Sequence, residues 1–341
     1  MLALVLSLAL QRGIGLGLFH EDPDFSYAPM LREIAQTGAD HVSIVVPWYQ
    51  HDVRSTHIAP HARLTAPDAT LLRTLADAKV AGLRVFLEPI LRLEYAATIA
   101  DWRGSIVPGD RVAWWASYRA FVLHYARLAE RAGNVDVFAI GSELGSMDGE
   151  RDAPRWVALA RDVRAVFHGL PQPTRRGVKL LYSANWDRFA HVALWSQIDL
   201  AGLSAYFELA RPGDRDPDVA SLVRAWREFR GETLRSAKRI GKPLVITEVG
   251  YLSQDGTAGQ PWNEGAQERL DLEEQRRCYE AFARVWSDAP ELAGVYFWNW
   301  YGWGGPRSRE YTPRGKPAAR EICRFFGSTT CPTAYGDAWA R

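Results

Sequence analysis

The 341-residue sequence has no excess of charge of either sign, with 41 Lys and Arg against 40 Asp and Glu. A chain that neutralises a phosphate backbone or an anionic bilayer needs such an excess, so nucleic acid is a poor candidate partner. Long apolar runs are missing too. The longest at the start, Leu2–Leu10, is too short to span a bilayer, so no transmembrane helix is expected. No His/Asp ligand set marks strand ends: His20 follows the first strand, and His51, His57 and His61 crowd one loop. That argues against a metal-dependent hydrolase. Gly13, Gly15 and Gly17 alternate singly and do not make a phosphate-binding loop. Neither metal nor organic cofactor is expected. Cysteine is scarce, with three in the chain. Cys323 and Cys331 are close enough in sequence to close a small disulfide loop in an oxidising compartment, leaving Cys278 unpaired; three free thiols in a reducing cell fit the same residues.

What is present suits one large globular unit. Hydrophobic residues make up 47% and charged residues 24%, with no long polar tract, so a sizeable core is available. The length is within the range of a single α/β barrel. The 14 Trp are more than usual, and Trp is favoured in clefts where a flat apolar face must also offer an N–H donor. Ser7-Leu8-Ala9, closing the N-terminal apolar run, resembles a signal-peptide cleavage site, and export is the expectation; a mis-assigned start codon or a plain apolar segment would look the same. The expected organisation is an N-terminal segment over 1–12, a barrel over 13–326 and a Gly/Thr/Ala-rich tail over 327–341.

Short β-rich runs alternate with helical patterns throughout, the signature of repeated βα units. Eight strands are predicted: Ile14–Phe19, His41–Trp48, Arg84–Leu91, Val135–Ser142, Lys179–Asn185, Ile198–Tyr206, Pro243–Glu248 and Gly294–Trp300. They are nearly continuous apolar runs, as expected of strands buried on both faces. Val112, Trp115, Tyr118, Val122, Tyr125 and Leu128 recur at helical spacing and predict a stripe packed on the barrel. Ser26 is the predicted cap of a helix over Met30–Thr37, and Asp68 that of Leu71–Ala81. Eight such units favour a closed (β/α)8 TIM barrel over a doubly wound sheet.

In such barrels the active site lies at the C-terminal ends of the strands. Strand four ends in Ile140-Gly141-Ser142-Glu143 and strand seven in Ile246-Thr247-Glu248, each placing a carboxylate directly after an apolar run. A lone glutamate there could be a solvated strand end; two on strands four and seven suit a pair acting on one glycosidic bond. Retention of configuration needs the pair about 5–5.5 Å apart, with one carboxylate attacking carbon and the other protonating the leaving oxygen. Glu248 is the expected nucleophile. Glu143 is the expected acid/base, keeping its proton because two close carboxylates resist double ionisation. Aromatic and amide groups at other strand ends, Trp48-Tyr49-Gln50, Asn185-Trp186, Tyr206 and Trp298-Asn299-Trp300, suit stacking and hydrogen bonding to sugars. Arg103, in the long polar stretch Arg92–Asp110, is expected to shape a substrate subsite, the alternative being a structural arginine spent on nearby carboxylates or carbonyls.

With these residues the chain resembles clan A glycoside hydrolases, most closely family 113, over almost the whole barrel. The likeness is carried by Trp48-Tyr49-Gln50, Trp102-Arg103-Gly104 with Ile106 and Pro108, Gly141-Ser142-Glu143-Leu144, Asn185-Trp186, the Asp199–Tyr206 strand, Lys242-Pro243, Thr247-Glu248-Val249-Gly250-Tyr251, Pro261-Trp262 and Thr312–Pro317. The resemblance implies a retaining β-1,4-mannanase-like enzyme with Glu143 as acid/base, Glu248 as nucleophile and Tyr206 hydrogen-bonded to the nucleophile. It also places Trp262 in the cleft. Two positions depart from the pattern. Ser142 stands where clan A usually has an asparagine gripping the sugar 2-hydroxyl, a contact Asn185 could share. Glu88-Pro89-Ile90 stands where a Lys-Pro-His-like end is expected, putting an acid in the cleft in place of basic groups. Other readings are a clan A glycosidase of another β-glycan or exopolysaccharide, and a carbohydrate-binding barrel without turnover.

Overall fold

The computed structural model describes residues 10–168, 177–266 and 268–332. Strands β1 (Gln11–Gly17), β2 (His41–Gln50), β3 (Arg84–Leu93), β4 (Val135–Ser142), β5 (Lys179–Asn185), β6 (Leu200–Ser204), β7 (Leu244–Val249) and β8 (Leu292–Phe297) are parallel and close into a barrel in sequence order, β8 pairing with β1. Around them, among the described residues, stand helices α1 (Ala28–Gln36), α2 (Asp68–Val80), α3 (Arg111–Ala132), α4 (Ala153–His168), α5 (Val219–Ile240), α6 (Leu272–Trp286) and α7 (Ala318–Phe325). This is the predicted TIM barrel, with one departure. Between β5 and β6 the chain makes only two 3-10 turns, Phe189–His191 and Trp195–Gln197. Buried Phe189 and Trp195 supply the apolar cover that a helix gives elsewhere.

Local expectations are corrected at three helices. Tyr27, not Ser26, precedes α1, without a side-chain cap; Pro29 in the first turn pre-sets the helical backbone there. Asp68 lies inside the first turn of α2, after Pro67, where its charge complements the helix dipole. On α3 the predicted stripe is buried except Val112, which lies about a third of a turn round the helix from Tyr118 and faces solvent. The cap of α3 is Asp110, accepting from the amides of Val112 and Ala113.

The alternating glycines of β1 find their explanation inside the barrel. A Cβ on Gly13 would stand 2.2 Å from Cδ1 of Tyr296, and one on Gly15 3.0 Å from Cε3 of Trp298. Period-two glycine is thus the inner face of a strand whose space is filled by aromatic rings from β8 and its exit. Tyr296 belongs with Phe86, Val137, Ala139, Leu181, Leu200, Val245 and Ala293 to the cluster that plugs the barrel.

Cys323 is bonded to Cys331, their Cα atoms 5.8 Å apart, which ties the start of the predicted tail to α7; Cys278 is buried and free. The rest of that tail, residues 333–341, and the apolar run up to residue 9 lie outside the described residues. The barrel plug generates a stability prediction. Gly13→Ala should lower the unfolding free energy by about 1–3 kcal/mol, since the Tyr296 ring must move. Gly15→Ala, with the looser approach, should lower it less. Denaturant titration of both variants checks the order, and equal stability of Gly13→Ala and wild type would refute it.

Candidate active site

The two glutamates reach the C-terminal rim through irregular strands. In β4 the pairing with β5 shifts between Ala139 and Gly141, immediately before Ser142 and Glu143. In β7 the pairing with β6 skips from Ile246 to Glu248, and that with β8 from Ile246 to Val249. A bulge of this kind re-aims side chains. Thr247 bonds across the barrel interior to Ser183, their oxygens 2.5 Å apart, while its neighbour Glu248 also turns to the site and accepts from the Tyr206 hydroxyl at 2.8 Å. In an unbroken strand consecutive residues face opposite sides.

Glu143 is the one non-glycine among the described residues with a left-handed backbone, φ 54°. Its amide donates to the Ser183 carbonyl at 2.7 Å, and the Leu144 amide donates to the buried Tyr182 hydroxyl at 3.0 Å. These bonds hold a conformation that costs about 1–3 kcal/mol. Arg103 forms an ion pair with the Glu143 carboxylate. It projects from a 3-10 turn, Arg103–Ser105, whose Gly104 carbonyl accepts from the Ser146 amide at 2.9 Å, locking the β3–α3 loop to the chain after β4.

Glu88, from the middle of β3, is a third carboxylate in the same cluster. It is fully buried and accepts from the Ser43 hydroxyl of β2 at 3.2 Å. Burial pushes it up to about 7, with Glu143 adding to the rise and Arg103 opposing it. Burial also raises Glu248 well above the usual carboxylate range, helped by Glu143 and Glu88 and opposed by Arg103 and the Tyr206 bond. Burial therefore drives both Glu88 and Glu248 toward protonation.

Tyr206, Leu252 and Tyr311 form a small apolar cluster beside Glu248, and half-buried Trp186 and Trp298 pack against it. Both predicted tryptophans thus lie against the Tyr206 side of the site. Trp262 is exposed on the rim, its indole N–H donating to Glu208 at 3.4 Å. Tyr49 is buried with the inward parity of Ser43, beside Arg92. Trp48 is corrected: it has the opposite parity and packs on Phe121, His124 and Tyr125 of α3, outside the barrel. Asn185 donates one amide N–H to Asp187 at 2.8 Å, a local turn contact. Ser142 is buried beside Glu88 and helps to favour its charged form. Residues that sequence reading missed are Ser43, Tyr311, and Phe19, whose ring lies under the Arg92 guanidinium at 5.6 Å. Ser43 alone left a signal, a polar residue at inward parity in an apolar strand.

Among the described residues one acidic group, Asp255, Asp271 and Glu274, has ligand-like spacing. Its oxygens are engaged: Asp255 with Arg269, Asp271 with the first amides of α6, and Glu274 with the amides of Gly256 and Ala258. It clasps the β7–α6 loop.

The burial of Glu88 fixes a pH dependence. Its folded pKa lies above the unfolded value of 4.5, so its contribution to stability is present below pH 4.5 and is lost as pH rises toward 7. Glu88→Leu should gain stability on wild type across that window, by up to about 3 kcal/mol, and show its smallest difference at pH 4.5. Urea titrations of both proteins between pH 4.5 and 7 test this; a pH-independent difference would contradict it.

The comparisons with known proteins agree with this geometry. The model of Glycoside Hydrolase Family 113 matches residues 25–308. A GH113 β-1,4-mannanase solved as a complex superposes with a TM-score of 0.80 at 22% identity, covering 94% of this chain and 99% of that one. The GH113 β-mannanase AaManA from Alicyclobacillus acidocaldarius, solved with ManMIm, gives 0.79 at 25% identity, covering 93% and 97%. More distantly, a β-D-glucuronidase from Dictyoglomus thermophilum gives 0.60 at 13% identity, covering 93% of this chain and 50% of its own. A search of curated protein sequences finds no significant match. With the family model spanning most of the barrel and both glutamates inside it, the chain belongs to glycoside hydrolase family 113.

Proposed function

We propose that this glycoside hydrolase cleaves a β-1,4-mannan-like polysaccharide with retention, Glu248 attacking the anomeric carbon and Glu143 serving as acid and then base. The observation that carries the reading is the shared cluster: two glutamates from bulged strands, Tyr206 bonded to one and Arg103 paired with the other. The substrate class rests on the names of the family relatives, both β-mannanases.

The chemistry follows from those contacts. The hydroxyl of Tyr206 orients the Glu248 oxygen and favours its charged form, as does the positive charge of Arg103. Glu248 then bonds to the anomeric carbon while the proton of Glu143 goes to the departing glycosidic oxygen. A water that returns its proton to Glu143 cleaves the glycosyl ester and frees Glu248. Half-buried Trp298 and Trp186, packed against the Tyr206 cluster, supply aromatic surface for stacking on the sugar. Export belongs to the same proposal, supported by the Cys323–Cys331 disulfide, a bond that persists in oxidising compartments.

Glu248→Gly should lower hydrolysis of an aryl β-mannobioside by several orders of magnitude. Glu143→Ala should spare activated aryl substrates far more than mannan, and azide should return its activity as a β-glycosyl azide of retained configuration. Wild-type rates in both variants would remove the pair from the mechanism. Arg103→Met should move the acid limb of the kcat/KM profile to higher pH, because Arg103 lowers the pKa of Glu248 and the nucleophile must be ionised. An unmoved limb would sever Arg103 from the nucleophile.

A further inference from the structure

In the loop before α7, three consecutive carbonyls are each captured by a group from another part of the fold or by a buried side chain. The Arg309 carbonyl accepts from the Ser253 amide at 3.1 Å, that of Glu310 from buried Lys316 at 2.7 Å, and that of Tyr311 from the Gln275 side-chain amide at 3.0 Å. Gln275 is itself buried in α6 and donates as well to the Tyr251 carbonyl at 2.8 Å, so one side chain ties together the exits of β7 and β8. The far end of Tyr311 is fixed too, its hydroxyl donating to the Pro261 carbonyl at 2.5 Å.

A side chain clamped at both ends presents a fixed surface, and Tyr311 presents it to Tyr206. The two buried rings have centroids 6.1 Å apart and planes 65° apart, an edge-to-face pair, with Leu252 completing the cluster. Tyr206 in turn donates its hydroxyl to Glu248 at 2.8 Å. A phenol has one proton to give. That of Tyr311 goes to Pro261, so its influence on Glu248 runs ring to ring through Tyr206.

Resting on the glycosidase reading, we infer that Tyr311 is a positioning residue of the nucleophile: its anchored ring holds Tyr206 in the orientation that delivers the phenol hydroxyl to Glu248. Tyr206 needs such a support. It stands two residues beyond the end of β6 at Ser204, so no ladder pairing sets its ring, and its setting comes from the side chains packed on it. Its hydroxyl lies at the far end of that ring, where a small rotation about the side-chain bonds becomes a displacement large enough to break a hydrogen bond. A loop pinned at three successive carbonyls is suited to prevent that rotation.

The test is a double-mutant cycle on the acid limb of kcat/KM with 4-nitrophenyl β-mannobioside. Its leaving group departs without a proton from Glu143, so the limb follows the ionisation of Glu248. The Tyr206 bond favours the charged carboxylate, and Tyr206→Phe should therefore move the limb to higher pH. Tyr311→Leu should move it the same way, by about half a pH unit or more, and lower the plateau about tenfold through the misplaced nucleophile. In the Tyr206→Phe background Tyr311→Leu should move the limb no further, because the bond through which it acts is gone. Glu88, Glu143 and Arg103, the other charged groups acting on Glu248, are the same in every variant. An unmoved limb in Tyr311→Leu, or the same additional move with and without the Tyr206 hydroxyl, would overturn the inference and leave the glycosidase reading intact. So would a limb that Tyr206→Phe leaves in place, since the relay would then have nothing to deliver. Should Tyr311→Leu fail to fold, Tyr311→Phe decides by the same cycle, because it keeps the ring and removes only the anchor on Pro261. Inactivity of the wild type on every β-glycoside would overturn both.

Discussion

One guanidinium among three buried carboxylates governs this site. Glu88, Glu143 and Glu248 arrive from β3, the end of β4 and β7, and all three are almost fully removed from water. Three like charges at such burial are strongly disfavoured unless they are paired or protonated. Arg103 is paired directly with Glu143 and favours the charged forms of the other two. It belongs to a loop and not to the barrel, so the electrostatics of the rim depend on how that loop is docked. The docking is by backbone: Val107 donates to Val53 and Gly109 to Arg54, both at 2.8 Å, and Ser146 donates to Gly104. These main-chain bonds, together with the Ser146 hydroxyl donating to the Ile106 carbonyl, hold the loop that carries the arginine.

The second constraint is directional. A regular strand presents alternate residues to the barrel interior, and the interior of this barrel is filled by aromatic and aliphatic side chains below the rim. Glu143 and Glu248 escape that alternation by irregularity. The shift before Gly141 and the left-handed backbone at Glu143 turn one carboxylate; the skipped pairing around Thr247 turns the other. The barrel below is regular where it must pack and irregular where it must present charge, with Gly15 leaving room for the Trp298 ring between the two regimes.

These features explain what sequence alone could deliver. The eight strands were legible because buried parallel strands are continuous apolar runs, and the two glutamates because each breaks such a run at its end. Trp48 was misplaced because a residue at a strand end was read without its parity; Ser43 and Tyr49 share one parity, and Trp48 has the other. The helix missing between β5 and β6 was hidden by Phe189 and Trp195, which bury apolar surface as a helix would. The partnership of Arg103 with Glu143 joins residues 40 apart through loop geometry, and no periodicity encodes it. Bulges are equally silent, since Ile246-Thr247-Glu248 has the same composition whether or not the pairing skips.

Glu88 poses the remaining question, because its charge works against the reaction. An ionised Glu88 raises Glu248, whereas the attacking carboxylate must be ionised. The conflict is relieved by the burial of Glu88 itself. Pushed up to about 7, it is substantially protonated in mildly acidic solution, and in that form it no longer repels Glu248. Deep burial of this acid, unfavourable for stability as the pH rises, is therefore what makes it compatible with a neighbouring carboxylate that must carry charge.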